Sequence, residues 1–428
     1  MRRLYSLVML LAAPLAFAIV LLRGLRERAY WQGLGERFGF GARTAAPSVW
    51  LHAVSLGEVA AAAPLVRALL ARDPRAPLVL TTATPTGRAR AQALFGGTVD
   101  VRYLPYDTPG AVGRFLGRID PEIGIILETE LWPNLFRACA RRGIPLLLAS
   151  ARISARSADR YRRFAGVFAG ILADVAVAAQ TDADARRFIA LGAAPERTEV
   201  TGNVKFDIEI GPALLESGRM LRAGRLGTRP VWVAGSTHAG EDDIVLDAHG
   251  LVTAHLPAAL LVLAPRHPSR FDAVAALLAR RGWRFERWSA AKAGADAIPA
   301  DVAVLLLDSV GELVGFYAAA DVAFVGGSLV PIGGHNLLEP AAAGVPVFMG
   351  PSTANAAEIA ALLLMRGAAR RVAGAADLAA GVSALLGDPA ACRAAGGIAR
   401  AAVEENRGSV SRLIELIEST RGGRRATV

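Results

Sequence analysis

Acidic, basic and amide side chains in this sequence collect at a few short turns, each just past an apolar run. The stretch "VWLHAVSLGEVAAAAPL", Val49 to Leu65, passes from a strand-like run through Ser55-Leu56-Gly57-Glu58 into an alanine-rich segment. Ser-x-x-Glu ahead of an apolar helix is a capping box, in which both side chains satisfy exposed backbone N–H groups. A carboxylate at the carboxyl end of a parallel strand also faces the crevice where α/β sheets bind ligands, and there it can take a proton from a reacting hydroxyl. Spacing alone leaves both readings of Glu58 open.

Other turns hold complementary groups. Arg266 and His267 follow "ALLVLAP", which ends at Pro265, and "DVAFVGGS" leads into "LVPIGGHNLLEPAAAG" from Leu329 to Gly344. Gly326, Gly327, Gly333 and Gly334 allow close backbone approach. A helix expected from about His335 would aim its N–H groups and positive dipole end at an anion such as phosphate. Asn336 can donate and accept, and Glu339 can accept from ribose hydroxyls. Val310, Gly311 and Glu312 form a second candidate platform, and Ser236, Thr237 and His238 a third turn whose acids Glu241, Asp242 and Asp243 favour a helix start. Arg88 is suited to gripping a carboxylate or phosphate in a bidentate way. Glu128 and Glu130 either bind sugar hydroxyls or cap a helix, and Asn203 and Lys205 close the first half. Each turn has a plainer reading as an ordinary capped helix start.

The six histidines are dispersed along the sequence, and neither HExxH nor paired-cysteine spacing occurs, so a resident metal is not expected. Asp182 and Asp184 form an Asp-x-Asp, but they open an amphipathic segment where Thr and Asp serve as caps. No P-loop and no G-x-G-x-x-G after the first strand is present, which argues against an ATPase and a nicotinamide enzyme.

These turns need scaffolding, and the sequence provides a strand-then-helix rhythm. "SVWLHAV", "PLVLTTA", "VDVRYLP", "IGIILE", "IPLLLAS", "DVAVAAQ" and "TEVTGN" read as strands, and the rhythm restarts after Pro230 with "VWVAGS", "ALLVLAP", "VAVLLLD", "DVAFVGGS" and "VPVFMG". Continuous apolar strands alternating with helices imply parallel sheets covered on both faces. The expected organisation is a membrane anchor over 1–28, a Rossmann-like domain over 29–208, a linker over 209–228, a second Rossmann-like domain over 229–395 and a C-terminal helix with a basic, disordered tail over 396–428. Two doubly wound domains of this kind are expected to face across a cleft that takes the substrate.

Tyr5 to Leu22 is an uncharged apolar run, roughly 27 Å long as a helix, which suits either a spanning anchor or a helix in the interface. Arginines on both sides, with the excess after it, place the body in the cytoplasm. No clear small-x-small site follows the apolar run, and arginines follow it directly, which disfavours a cleaved signal. The net charge of +10 over 428 residues does not point to nucleic acid. Only Lys205 and Lys292 are lysines, and the arginines are scattered without interleaved aromatics. Anionic lipid or an acidic substrate is the better partner for that charge. Two distant cysteines fit a reducing compartment.

Together, "HAVSLGE", "TTATPTG", "ETELWPN", "ARISARS", "TGNVKFD", "GSTHAGE", "APRHPSRF", "FVGGSLVPIGGHNLLEP" and "GLGERFG" just after the anchor resemble the 3-deoxy-D-manno-octulosonic acid (Kdo) transferases of Gram-negative bacteria. The resemblance implies the two-domain GT-B glycosyltransferase fold, with 29–208 as the acceptor domain, 229–395 as the CMP-sugar-binding domain and the helices from about Leu378 onward crossing back to the first domain. It also implies CMP-Kdo as donor without a bound metal, and a lipid A precursor as acceptor at the cytoplasmic face of the inner membrane. It makes Glu58 the general base and assigns CMP to Pro265 and Arg266, to Val310, Gly311 and Glu312, and to Asn336, Leu337, Leu338 and Glu339. Arg88 and Glu130 are added as sugar contacts, and Trp31 and Phe38 are expected at headgroup level. No protein partner is implied. A sugar-nucleotide 2-epimerase of the same fold would explain the nucleotide site but not the anchor. A non-enzymatic tethered binding protein would explain the anchor but leave the polar groups idle.

Overall fold

The computed structural model describes residues 2–44, 47–168, 170–208, 210–294 and 297–425. Packing divides the chain into two units, Met1–Asp207 with Asn406–Val428, and Ile208–Glu405.

The first unit carries β1 (Ser48–His52), β2 (Leu78–Thr82), β3 (Asp100–Tyr103), β4 (Pro121–Leu127), β5 (Leu146–Ala151), β6 (Ala176–Ala179) and β7 (Thr198–Val200). They form one parallel sheet in the order β3-β2-β1-β4-β5-β6-β7. Alternate residues of the central strands feed opposite cores: Leu51, Ile125 and Leu147 on one face, Trp50, Ile126 and Leu148 on the other. That two-sided burial is why these strands are apolar throughout instead of alternating.

The second unit repeats the plan with β8 (Val231–Thr237), β9 (Leu260–Pro265), β10 (Phe285–Arg287), β11 (Val304–Leu306), β12 (Val322–Val325), β13 (Val347–Met349) and β14 (Ala369–Arg371). Their order is β10-β11-β9-β8-β12-β13-β14. Trp232, Leu261 and Phe324 fill one core, and Val233, Val262 and Ala323 the other. The strand order turns around beside β1 in one sheet and beside β8 in the other, so polar turns after these strands sit at the topological switch points.

Four expectations about organisation are corrected. The stretch 209–228 is not a linker: Pro212–Leu221 is a helix of the second unit. A Cβ at its Gly218 would lie 2.6 Å from Ala318 and 2.7 Å from the Gly315 carbonyl, so a residue without a side chain lets this helix press against Leu313–Ala319. The boundary near 396 falls inside the helix Pro389–Glu404, which stays with the second unit. Of the helices after Leu378, it is Ser409–Arg425 that joins the first unit. Asp207 fastens it by accepting from the Gly408 and Val410 N–H groups, both at 2.6 Å, while Leu413 and Ile417 enter the core. The basic tail is helical through Arg425; residues 426–428, also read as disordered, lie outside the described residues.

Candidate active site

Glu58 stands at the end of β1, in the first turn of the helix Leu56–Arg72. The Ser55 hydroxyl accepts from the Glu58 N–H at 3.4 Å, and the Glu58 carboxylate accepts from the Val54 N–H at 2.8 Å. Glu58 therefore does cap its helix, reaching one residue further back than an ordinary capping box. The cap does not exhaust the group. Burial pushes its pKa up to about 7 against the pull of the Val54 N–H, with repulsion from Glu128 and Glu130 adding to the rise and Lys205 opposing it. A carboxyl group poised near neutrality can both accept and hold a proton at working pH.

Its neighbours come from the ends of other strands. Glu128 follows β4 in a left-handed backbone conformation, φ 55°, which is uncommon outside glycine and characteristic of positions held for a purpose. The Lys205 ammonium pairs with it at 2.9 Å. Lys205 is placed by the turn Val204–Phe206, whose flanking Val204 and Phe206 are buried and in which the Asn203 side chain accepts from the Lys205 N–H at 3.0 Å. Burial raises the Glu130 carboxyl to about 6, with the Trp132 indole pulling it down and Glu128 pushing it up. Three carboxylates and one lysine thus converge at the carboxyl edge of the first sheet.

Arg88 is already engaged. Its guanidinium grips Glu36 of the "GLGERFG" segment through two nitrogens, at 2.5 and 3.2 Å, and lies over the Tyr103 ring at 4.9 Å. Glu36 also accepts from the Tyr103 N–H at 2.8 Å. Phe38 stacks edge-on between Phe17 and Tyr106. The segment is a strut between the N-terminal helix and the edge of the sheet. Trp31 remains 42% exposed. Asp184, half of the Asp-x-Asp, is buried and accepts from the Ile153 N–H at 2.9 Å, which is a structural tie.

In the second unit the glycine loop differs from the expected anion cradle. Glu241 is fully buried, and its carboxylate accepts from the N–H groups of His238, Gly327, Ser328 and Leu329 at 2.6–3.0 Å. The Gly333 N–H goes to Ser352 and the Gly334 N–H to the Gly327 carbonyl. These donors are spent on the loop itself. Nor does a helix begin at His335: it runs from Leu338 to Ala342, and Asn336 accepts from the Leu338 N–H at 3.0 Å. Pro340, lacking an N–H, fits only in a first turn and sets that late start.

What remains available is the side chains. Asn336 donates to Glu339 at 3.1 Å, and burial raises the Glu339 carboxyl against the pull of Asn336 and Arg266. Arg266 is exposed at the end of β9. Leu337 and Leu338 are buried beneath this turn. Val310 is 78% exposed and Gly311 has φ 92°, whereas the Glu312 carboxylate is held by its own neighbours. Burial raises its pKa, and hydrogen bonds from Ser309, Trp288 and Lys292 outweigh that and lower it.

The structure also assembles a group that the sequence did not announce. His238 and His335 meet through their Nε2 atoms at 2.7 Å, and the His267 ring lies 5.4 Å from that of His238. Burial, followed by His238, Arg266 and His267, holds His335 down at about 4. Each histidine ends a strand-to-helix turn, which was the available signal.

The two parallel sheets and their switch points are those of GT-B glycosyltransferases. The chain resembles the UDP-GlcNAc 2-epimerase of Neisseria meningitidis bound to UDP-GlcNAc (TM-score 0.57, 14% identity, covering 87% of this chain and 100% of that one). It also resembles a glycosyltransferase of Rickettsia africae (TM-score 0.56, 13% identity, 88% and 99%). Identities this low establish fold, and the fold serves more than one chemistry. Sequence relatives are decisive for the family. The family model described as 3-deoxy-D-manno-octulosonic-acid transferase (kdotransferase) matches residues 32–208. The 3-deoxy-D-manno-octulosonic acid transferase of Haemophilus influenzae is 39% identical over 97% of this chain and 98% of its own length. That of Bordetella pertussis is 41% identical over 98% and 100%. The chain belongs to the Kdo transferase family and is a glycosyltransferase.

Proposed function

We propose that the protein transfers Kdo from CMP-Kdo to a hydroxyl of a lipid A precursor in lipopolysaccharide synthesis, with inversion at the anomeric carbon. The observation that carries the proposal is the state of Glu58: a carboxyl group held at the carboxyl end of β1 and raised to about 7. As the acceptor oxygen bonds to the anomeric carbon, its proton passes to Glu58, and the bond from that carbon to the phosphate oxygen of CMP breaks. CMP leaves with the electron pair as a phosphate monoester. Charge grows on that phosphate in the transition state, so Arg266 and the neighbouring histidines would stabilise it more than the ground state. Pro265, the Val310 to Glu312 turn and the Asn336 to Glu339 segment hold the nucleotide, with Glu339 and Asn336 addressing the ribose. Lys205 and Glu130 act near the sugar. No resident metal or other cofactor is required by this scheme.

The apolar helix Arg3–Gly24 is long enough to cross a membrane and supports attachment to the inner membrane with the catalytic units on the cytoplasmic side, where arginines follow the helix. Incubation with CMP-Kdo and lipid A precursor, with mass spectrometry of the lipid and NMR of the new linkage, tests the proposal. The expected product gains Kdo residues of inverted anomeric configuration. Free CMP without glycosylated lipid, or retention, overturns it.

A further inference from the structure

The N-terminal helix has two unlike sides. Tyr5, Met9, Ala13, Phe17, Val20 and Gly24 are shielded, a repeat of four, four, four, three and four that traces one face from end to end. The contacts are specific. The Tyr5 hydroxyl donates to Asp107 at 2.9 Å, the Ser6 hydroxyl donates to Asn134 at 2.8 Å, and Phe17 meets Phe38 with ring centroids 4.9 Å apart. Asp107 also accepts from the Asn134 and Leu135 N–H groups that open the helix Pro133–Arg141, so the tie reaches the scaffold. At the far end a Cβ on Gly24 would lie 1.9 Å from the Trp31 indole, whose N–H donates to the Leu21 carbonyl. The helix is therefore tied to the first unit at Tyr5 and Ser6 and again at Phe17, roughly 18 Å apart along its axis, and its last turn is packed by Trp31 of the segment that follows. Its other side, Leu4, Leu7, Leu11, Leu15 and Leu22, is exposed.

We infer that this helix lies in the plane of an anionic bilayer surface, with its leucine stripe in the acyl boundary, and does not span the membrane. Hydropathy is silent on the choice, since the length suits both arrangements. Docking decides it. A helix that spans while docked would carry Asp107, Asn134 and buried Arg37 with the body into hydrocarbon, at several kcal/mol for each poorly satisfied polar group. A helix that spans after undocking would forfeit the Tyr5 and Ser6 hydrogen bonds and uncover Phe38. Lying flat keeps every contact and buries the leucines. Arg3, Arg23, Arg26 and Arg28, all exposed at the two ends, suit anionic headgroups. The inference stands on the packing of this helix and is independent of the transferase reading.

Sidedness is the test. Full-length Arg3→Cys and Arg75→Cys variants in sealed inside-out and right-side-out vesicles are treated with a membrane-impermeant maleimide; the native Cys139 and Cys392 are buried. Both positions are expected to react from the same side. Reaction from opposite sides means a spanning helix and overturns the inference. Partition into phosphatidylglycerol vesicles should fall about fivefold for each of Arg23→Gln, Arg26→Gln and Arg28→Gln, and equal binding to zwitterionic vesicles would overturn the assigned lipid. Leu7→Asn with Leu11→Asn should release the protein from vesicles at an unchanged Tm. A Tm lowered by several degrees would show that the stripe packs inside the protein and not on lipid.

Discussion

Glu58 and Glu241 hold corresponding places in the two units and have opposite surroundings. Each follows the first strand of its sheet, at the start of the next helix. Glu241 is fully buried and takes four backbone N–H groups. Glu58 is partly exposed and, among the described residues, takes a single N–H, that of Val54, with two further carboxylates near enough to repel it. A carboxylate rich in N–H donors has its charge satisfied and acts as a fastener. One short of donors and close to like charges keeps a proton near neutral pH and can exchange it. The number of donors, and not the residue type or its topological place, separates scaffold from chemistry here.

The comparison is broken most severely if Glu58 proves to be only a cap. Glu58→Gln keeps an acceptor for the Val54 N–H but cannot take a proton, so transfer should fall by about 10² to 10⁴ while CMP binding and folding persist. Steady-state rates and calorimetric titration with CMP check both halves. Near-normal turnover would return Glu58 to the standing of Glu241. The reciprocal change, Glu241→Ala, should act on folding: it strands four N–H groups in the loop and should cost about 3–5 kcal/mol of stability, measured by urea denaturation. A loss under about 1 kcal/mol would mean that water replaces the carboxylate and that the fastener reading is wrong.

The pH response sharpens the same contrast. A base at about 7 makes kcat/KM fall about tenfold per pH unit below that value. Stability runs the other way. Between the ordinary 4.5 and about 7 the native state binds more protons at Glu58 than the unfolded state does. Stability therefore falls as pH rises through that window, and the relief is complete below 4.5. Glu58→Gln should flatten this part of the stability profile, as thermal melts between pH 5 and 8 would show. Glu130, raised to about 6, contributes in the same direction over a narrower range.

Much of this frame was legible because buried parallel strands announce themselves as apolar runs. The strands the sequence reading missed, β10 and β14, read Phe285-Glu286-Arg287 and Ala369-Arg370-Arg371. They lie at the two edges of the second sheet, where one side faces solvent and charged residues are tolerated. Glu58, Arg266 and Asn336 were visible as polar residues at strand ends. Their hydrogen-bond partners were not, because donor counts depend on loops brought together from far along the chain. Nothing near Glu241 in sequence says that Gly327, Ser328 and Leu329 will point their N–H groups at it. The meeting of His238 and His335 and the pairing of Arg88 with Glu36 were hidden for the same reason.

The smallest effect is also the most discriminating. Lys205 lowers the proton affinity of Glu58, and Glu128 raises it, while the two pair with one another at 2.9 Å. If Glu58 is tuned by charge, Lys205→Met should move the acid limb of the pH–rate profile upward by roughly half a unit to one unit. Glu128→Gln should move it downward, both by removing a negative neighbour and by leaving the ammonium to act on Glu58 alone. The paired variant should fall between the two. If burial and packing alone set the proton affinity, both single variants would shift the limb in one direction or leave it in place. Opposite shifts with little change in the plateau rate would tie the chemistry at Glu58 to its charged neighbours, a dependence that Glu241, wrapped in backbone N–H groups, should not share.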